Sequence, residues 1–98
     1  MNERRRLDDA EIEEGLAELE GWSVEDGKLH RTFVFRDFVQ AMGFMTSAAL
    51  LAERMNHHPE WSNVYKTVVV DLTTHSEGGI TTLDLRLAAG MNRVVGEE

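Results

Sequence analysis

A chain of 98 residues fits a single domain, 1–98, near the lower end of sizes that fold unaided, where about 60 to 65% of the unfolded chain's surface becomes buried. The absence of cysteine excludes a disulfide framework and a thiolate metal site, and suits a reducing cytosol. Ten basic against eighteen acidic residues give a net charge of −8, which argues against nucleic acid or an anionic membrane surface as the main partner.

The first residues carry the basic cluster Arg4 to Arg6. A frayed, flexible terminus over residues 1–6 is expected there, with a short docking arm as the alternative. No apolar run approaches the roughly 18 residues of a membrane span, and "MNERRRLDDAE" contains no signal-peptide core. A soluble, cytoplasmic protein is expected.

"DDAEIEEGLAEL" spaces Ile12, Leu16 and Leu19 for a one-sided amphipathic helix. Asp8 with Glu11 predicts a capping box, Leu7 with Ile12 a hydrophobic staple, and Gly21 a stop. "GWSVEDGKLHRTFVF" predicts two strands around an Asp26-Gly27 hairpin turn, with Leu29, Phe33 and Phe35 on one face. Asp37 and Gln40 then open a long helix over 38–55. Its main apolar stripe is Phe38, Ala41, Met42, Met45, Ala49, Ala52 and Met55, widened by Phe44, Leu50 and Leu51. Such width predicts burial on more than one side, or a subunit contact. Its methionines read as core packing in preference to a binding groove.

"TVVVDLTTH" alternates Val68, Val70 and Leu72 against Val69, Asp71 and Thr73, the period of a strand with one apolar face. Beyond "SEGG", Leu83, Leu87, Met91 and Val94 return to helical spacing, with Thr81 and Asp84 as a capping pair. The order is α-β-β-α-β-α, with room for a further strand near Trp61 to Val64. One antiparallel sheet whose apolar face is covered by helices satisfies every stripe.

The stretch "MNHHPEWSNVY" sets two adjacent histidines against the only proline. Pro59 biases His58 toward extended backbone, and neighbouring imidazoles can hold one ring as proton donor and the other as acceptor near neutral pH. Glu53, four residues before His57, is expected to orient that ring. His75 ends the valine-rich strand. The bland readings stand beside these: His57 and His58 as a helix C-cap, Trp22 and Trp61 as core or interface residues, and His30 as a surface residue without a role. There is no Gly-x-Ser-x-Gly elbow, phosphate-binding glycine loop or His-Glu-x-x-His motif. Three histidines and a carboxylate could hold zinc, but adjacent histidines seldom both ligate one ion. Metal-free proton transfer fits better.

"ERMNHHPEWSNVYKTVVVDLTTHSEGGITTLD", with "GW" at 21–22 and "F.F.DF..A.GFM" at 33–45, resembles the signature of the pterin-4a-carbinolamine dehydratases over most of the chain. The resemblance implies an α+β fold, a four-stranded antiparallel sheet with three helices packed on one face in the order α-β-β-α-β-β-α. It also implies a homodimer or homotetramer, and dehydration of 4a-hydroxytetrahydropterin to the quinonoid dihydropterin. That reaction recycles the pterin of aromatic amino acid hydroxylases and uses no cofactor, the pterin being substrate.

By position, His57, His58 and His75 would be catalytic, with His57 and His75 transferring protons and His58 mainly binding. Glu53 would support His57, Asp84 would contribute to the site, and Pro59, Thr74, Ser76 and Glu77 would lie on the segments touching substrate. Trp22 and Trp61 would wall or support the pocket. Two departures, Leu83 where animal relatives carry arginine and Lys66 where asparagine is frequent, bear on peripheral substrate contacts. The alternative is an interaction module, because some animal relatives act as dimerisation cofactors of a homeodomain transcription factor.

Overall fold

A computed structural model describes residues 4–96. The elements run α1 (Asp9–Leu16), β1 (Ser23–Glu25), β2 (Lys28–Val34), α2 (Phe38–Met55), β3 (Glu60–Val64), β4 (Thr67–Leu72) and α3 (Thr82–Val94). The four strands form one antiparallel sheet in the order β1-β2-β4-β3. The order α-β-β-α-β-β-α and the α+β class are as expected, and the additional strand near Trp61 is β3, which starts at Glu60. No helix among the described residues is long and apolar enough to cross a membrane.

Alternation along the central strands decides which face the helices cover. Leu29 and Phe33 of β2 and Val68, Val70 and Leu72 of β4 are buried, and they form one core with Ala41, Phe44, Ala48 and Ala52 of α2 and Leu87, Ala88 and Met91 of α3. Ile12 and Leu16 of α1 pack against the same cluster. Burying each large apolar side chain contributes about 1.5–3 kcal/mol. The opposite face, carrying Lys28, His30, Thr32, Asp71, Glu60 and Ser62, remains partly or fully exposed.

The turns follow from local chemistry. Asp26 and Gly27 both have positive φ (53° and 76°), and they join β1 to β2 in a two-residue hairpin. The capping boxes form as expected, at Asp8 with Glu11 and at Thr81 with Asp84.

One detail in each of the three helices departs from the sequence reading. Helix α1 stops at Leu16, so Leu19 enters the core from the turn that follows. Gly15 lies against α3, where a Cβ would come 2.7 Å from Leu85 Cδ1. On α2 the buried line is Ala41, Phe44, Ala48 and Ala52, while Ala49 and Phe38 are exposed and Met42, Met45 and Met55 flank the contact. Alanines at the centre let the helix approach its neighbours closely, and the longer methionines fill the margins. Val94, expected on the core face, is exposed in the last turn of α3.

At the N-terminus, where a frayed end is expected over residues 1–6, the described residues make specific contacts. Residues 1–3 lie outside the described residues, but Arg5 donates to both carboxylate oxygens of Glu11 (3.1 and 2.8 Å) and Arg6 bridges to Thr81. The Leu7 amide donates to the Ile80 carbonyl at 2.9 Å. This arm packs on the turn after β4, where a Cβ on Gly79 would meet Arg6 Cδ at 2.8 Å.

Candidate active site

Helix α2 ends in a way that delivers His57. Asn56 is left-handed (φ 52°, ψ 44°), its amide donates to the Glu53 carbonyl at 3.1 Å, and the His57 amide donates to the Ala52 carbonyl at 3.0 Å. These are the paired bonds of a Schellman motif, which satisfy the last carbonyls and turn the chain off the helix axis. His57 is therefore held by backbone bonds before its side chain makes any contact, and only 7% of it is exposed.

Its ring meets Asp84. His57 Nε2 lies 2.5 Å from Asp84 Oδ1, and Asp84 is wholly buried in the first turn of α3. The other carboxylate oxygen accepts from Thr74 Oγ1 at 2.9 Å and from the Thr81 amide at 2.8 Å. Thr81 Oγ1 in turn lies 2.8 Å from Thr74 Oγ1 and accepts from the Leu83 amide at 3.2 Å. The network fixes the proton directions: Thr74 donates to Asp84, Thr81 donates to Thr74, and both oxygens of Asp84 accept. Nε2 of His57 then carries hydrogen toward Asp84, and Nδ1 is the ring nitrogen the carboxylate does not engage.

The other two histidines of the predicted set have carboxylate partners of their own. His58 Nε2 lies 2.9 Å from Glu53 Oε1, and His75 Nε2 lies 2.5 Å from Glu60 Oε2. Both rings are exposed, at 57% and 74% of their side-chain surface. Glu53 thus partners His58 and not His57 as expected. The i,i+4 reasoning assumed helix through residue 57, whereas the left-handed Asn56 rotates His57 away and brings His58 within reach of Glu53.

Two links tie the histidine-bearing segments together. His57 touches Asp84, which touches Thr74, the residue before His75; Glu60, two residues after His58, touches His75. Segment 57–60 and segment 74–75 are joined at both ends. Pro59, between His58 and Glu60, is half-buried.

Other predicted positions stand apart from this group. Ser76 and Glu77 are exposed in the short 3₁₀ turn His75–Glu77, with Ser76 Oγ donating to Glu77 at 3.3 Å. Trp61 is half-buried on the helix side of β3, edge-on to Phe44 at 6.5 Å. Trp22 is not brought to the group: its indole donates to Asn92 Oδ1 at 2.8 Å and it packs edge-on to Phe33. Asn92 is eight residues along α3 from Asp84, about 12 Å at 1.5 Å per residue. Sequence reasoning missed Glu60 and Thr81. The capping pair was a signal for Thr81, whereas only the sheet pairing reveals Glu60.

His30 was assigned no role, yet its Nδ1 lies 2.9 Å from Asp71 Oδ1 across the strand pair. All four histidines of the chain consequently face a carboxylate. Among the described residues no three His, Cys, Asp or Glu side chains gather as a metal would need. A separate cleft of about 600 Å³, lined in part by Arg31, Phe33, Phe35, Gln40 and Phe44, involves none of the histidines.

A family model described as pterin 4 alpha carbinolamine dehydratase matches residues 5–94. A protein of Chelativorans sp. (strain BNC1), provisionally named pterin-4-alpha-carbinolamine dehydratase, is 58% identical over 91 residues, covering 91% of this chain and 93% of that protein. One of the same provisional name from Solibacter usitatus (strain Ellin6076) is 55% identical over 87 residues, covering 89% of this chain and 92% of that protein. Among solved structures, a transcriptional coactivator/pterin dehydratase from Brucella melitensis superposes with a TM-score of 0.91 at 49% identity, covering 94% of this chain and all of that one.

Proposed function

The chain belongs to the pterin 4 alpha carbinolamine dehydratase family, and from that premise we propose that it eliminates water from a 4a-hydroxytetrahydropterin by histidine acid and base catalysis. The observation that carries this reading is the set of three histidines on two linked segments, each with its own carboxylate.

In the elimination the C4a–O bond breaks with its electron pair on oxygen, which gains a proton and leaves as water. The N5–H proton goes to a base, and that bond's electrons become the C4a=N5 double bond of the quinonoid dihydropterin. No oxidant or reductant is required. One group must give a proton and another must take one, each worth about 10²–10⁴ in rate.

His57 is suited to accept at Nδ1, because Asp84 at Nε2 fixes the tautomer and the orientation of the ring. Asp84 stays an acceptor throughout, held by Thr74 and the Thr81 amide. His75 serves as the second proton-transfer group and His58, with Glu53, binds substrate. The proposal includes no metal and no cofactor, a cytoplasmic setting, and a product returned to an aromatic amino acid hydroxylase. It also includes a homodimer or homotetramer, for which the exposed Phe38, Val39 and Leu50 of α2 supply apolar surface.

A second reading, an interaction module for another protein, is favoured by the words "transcriptional coactivator" in the name of the Brucella structure and by the same exposed residues. The deciding experiment follows the decay of freshly generated 4a-carbinolamine by ultraviolet absorbance, with and without protein and with a chelator present. Acceleration that survives the chelator and falls in His57→Ala and His75→Ala is expected. A folded protein that leaves the spontaneous rate unchanged overturns the dehydratase reading in favour of the module.

A further inference from the structure

We propose that Glu60 is a positioning residue for His75, and that Lys28, two strands away, fixes Glu60 for that task. The inference rests on the dehydratase reading for its kinetic consequence, but its physical content is the order of one imidazole.

The geometry is a three-membered line. Glu60 Oε2 lies 2.5 Å from His75 Nε2, and Glu60 Oε1 lies 2.6 Å from Lys28 Nζ. Each carboxylate oxygen has one partner. Lys28 opens β2 and Glu60 opens β3, with β4 between them, since Leu29 pairs with Leu72 and Glu60 with Asp71. Two inter-strand spacings amount to roughly 9–10 Å, so the two long side chains together span β4. They do so on the exposed face: Trp61, the next residue after Glu60, is paired with buried Val70 and points to the helices.

A stabilising role accounts poorly for this arrangement. Lys28, Glu60 and His75 keep 34%, 42% and 74% of their side-chain surface in solvent, and exposed ion pairs contribute little to folding while costing side-chain freedom. A positioning role accounts for it better. His75 sits on a 3₁₀ turn, beside the glycines at 78 and 79, where an exposed ring would otherwise sample several rotamers. Glu60 selects one rotamer and assigns the hydrogen to Nε2, leaving Nδ1 for a substrate proton. Lys28 stops the carboxylate from rotating away.

The surrounding charges support this division of labour. Asp71 on β4 is engaged by His30, Glu25 stands opposite Lys28 on β1, Asp26 follows in the hairpin turn, and Glu77 lies in the turn of His75. The Glu60 carboxyl is held below the usual carboxylate range, first by its bond to Lys28 and then by that to His75. It therefore remains a charged acceptor across the neutral range.

The test uses Glu60→Ala, Glu60→Gln, Lys28→Met and the Glu60→Ala/Lys28→Met double variant of the whole chain. NMR relaxation of the His75 ring carbons and steady-state dehydration kinetics are read side by side. Glu60→Ala is expected to free the ring and to lower kcat about 10- to 100-fold at unchanged KM, the scale of a modest misplacement of a catalytic group. Glu60→Gln, which keeps an acceptor oxygen, should restore ring order and part of kcat. Lys28→Met should act in the same direction but less, and the double variant should be no worse than Glu60→Ala alone.

A His75 ring equally ordered in Glu60→Ala overturns the proposal, as does a loss that falls on KM, or additivity in the double variant. Should the parent protein fail to accelerate dehydration, the functional reading fails by itself. The relaxation data still decide whether Glu60 and Lys28 order His75.

Discussion

Nε2 of His57 and Oδ1 of Asp84 are 2.5 Å apart, and this contact fastens the residue that follows the stop of α2 to the first turn of α3, 27 residues later. Asp84 has no exposed surface and accepts from three donors. Replacing it with alanine should cost about 3–5 kcal/mol, because His57, Thr74 and the Thr81 amide would each lose a buried acceptor. Asp84→Asn preserves shape but presents an amide donor to the network. It should remain folded while losing about 10²–10⁴ in kcat, so chemical denaturation and kinetics on the two variants separate the structural from the catalytic contribution.

The three histidines should divide by kinetic parameter. His57→Ala and His75→Ala are expected to lower kcat by about 10²–10⁴, whereas His58→Ala should act mainly on KM. Equal effects on kcat from all three would remove the distinction between proton transfer and binding.

Asn56 is the stop that sets His57 in place, with φ at 52°. An alanine held there pays roughly 1–2 kcal/mol for the left-handed conformation, whereas glycine adopts it freely. Asn56→Ala should therefore lower both stability and kcat, and Asn56→Gly should retain both. Thermal melts and initial rates on the pair check this, and an active, fully stable alanine variant would show that the site does not depend on the Schellman turn.

Acid should weaken the fold at its N-terminal arm. The Arg5 guanidinium and the Asp8 amide hold the Glu11 carboxyl down to about 2, from 4.5. A carboxyl depressed in the folded state stabilises it above the unfolded value, and that contribution disappears as the pH falls through the folded one. Part of the stability present at neutral pH should thus vanish between about pH 4.5 and 2. Glu11 and Arg5 keep 37% and 55% of their side-chain surface in solvent, so screening should keep the effect small. Glu11→Gln should flatten the melting-temperature curve in that window, and parallel curves for parent and variant would contradict the assignment.

Much of the fold could be read from the chain because its signals are local. Asp26-Gly27 imposes a hairpin, Asp8 and Thr81 declare helix starts, and alternation from Val68 to Leu72 identifies a half-buried strand. The histidines stood out as candidates in the sequence, as an adjacent pair before proline and a later Thr-His, and the two segments that carry them are linked in the fold. Which carboxylate serves which ring was not visible. Glu53 was matched to His57 on the premise of continuous helix, and one left-handed residue transferred it to His58. Glu60 meets His75 and Lys28 only because β4 lies between β2 and β3, a non-local pairing with no trace in either segment alone.

The Trp22–Asn92 hydrogen bond joins residues 70 positions apart. Loop closure over such a separation is entropically costly, so contacts of this kind form once most of the chain has collapsed. The buried indole thus sits where the first hairpin meets the last helix, and Trp61 sits on the edge strand. Two chromophores consequently observe different stages of assembly: Trp61 the zipping of the β3–β4 hairpin, Trp22 the docking of α3 that also delivers Asp84. In a refolding experiment the emission of Trp22 would mark the moment at which the buried Asp84 carboxylate first becomes available to His57.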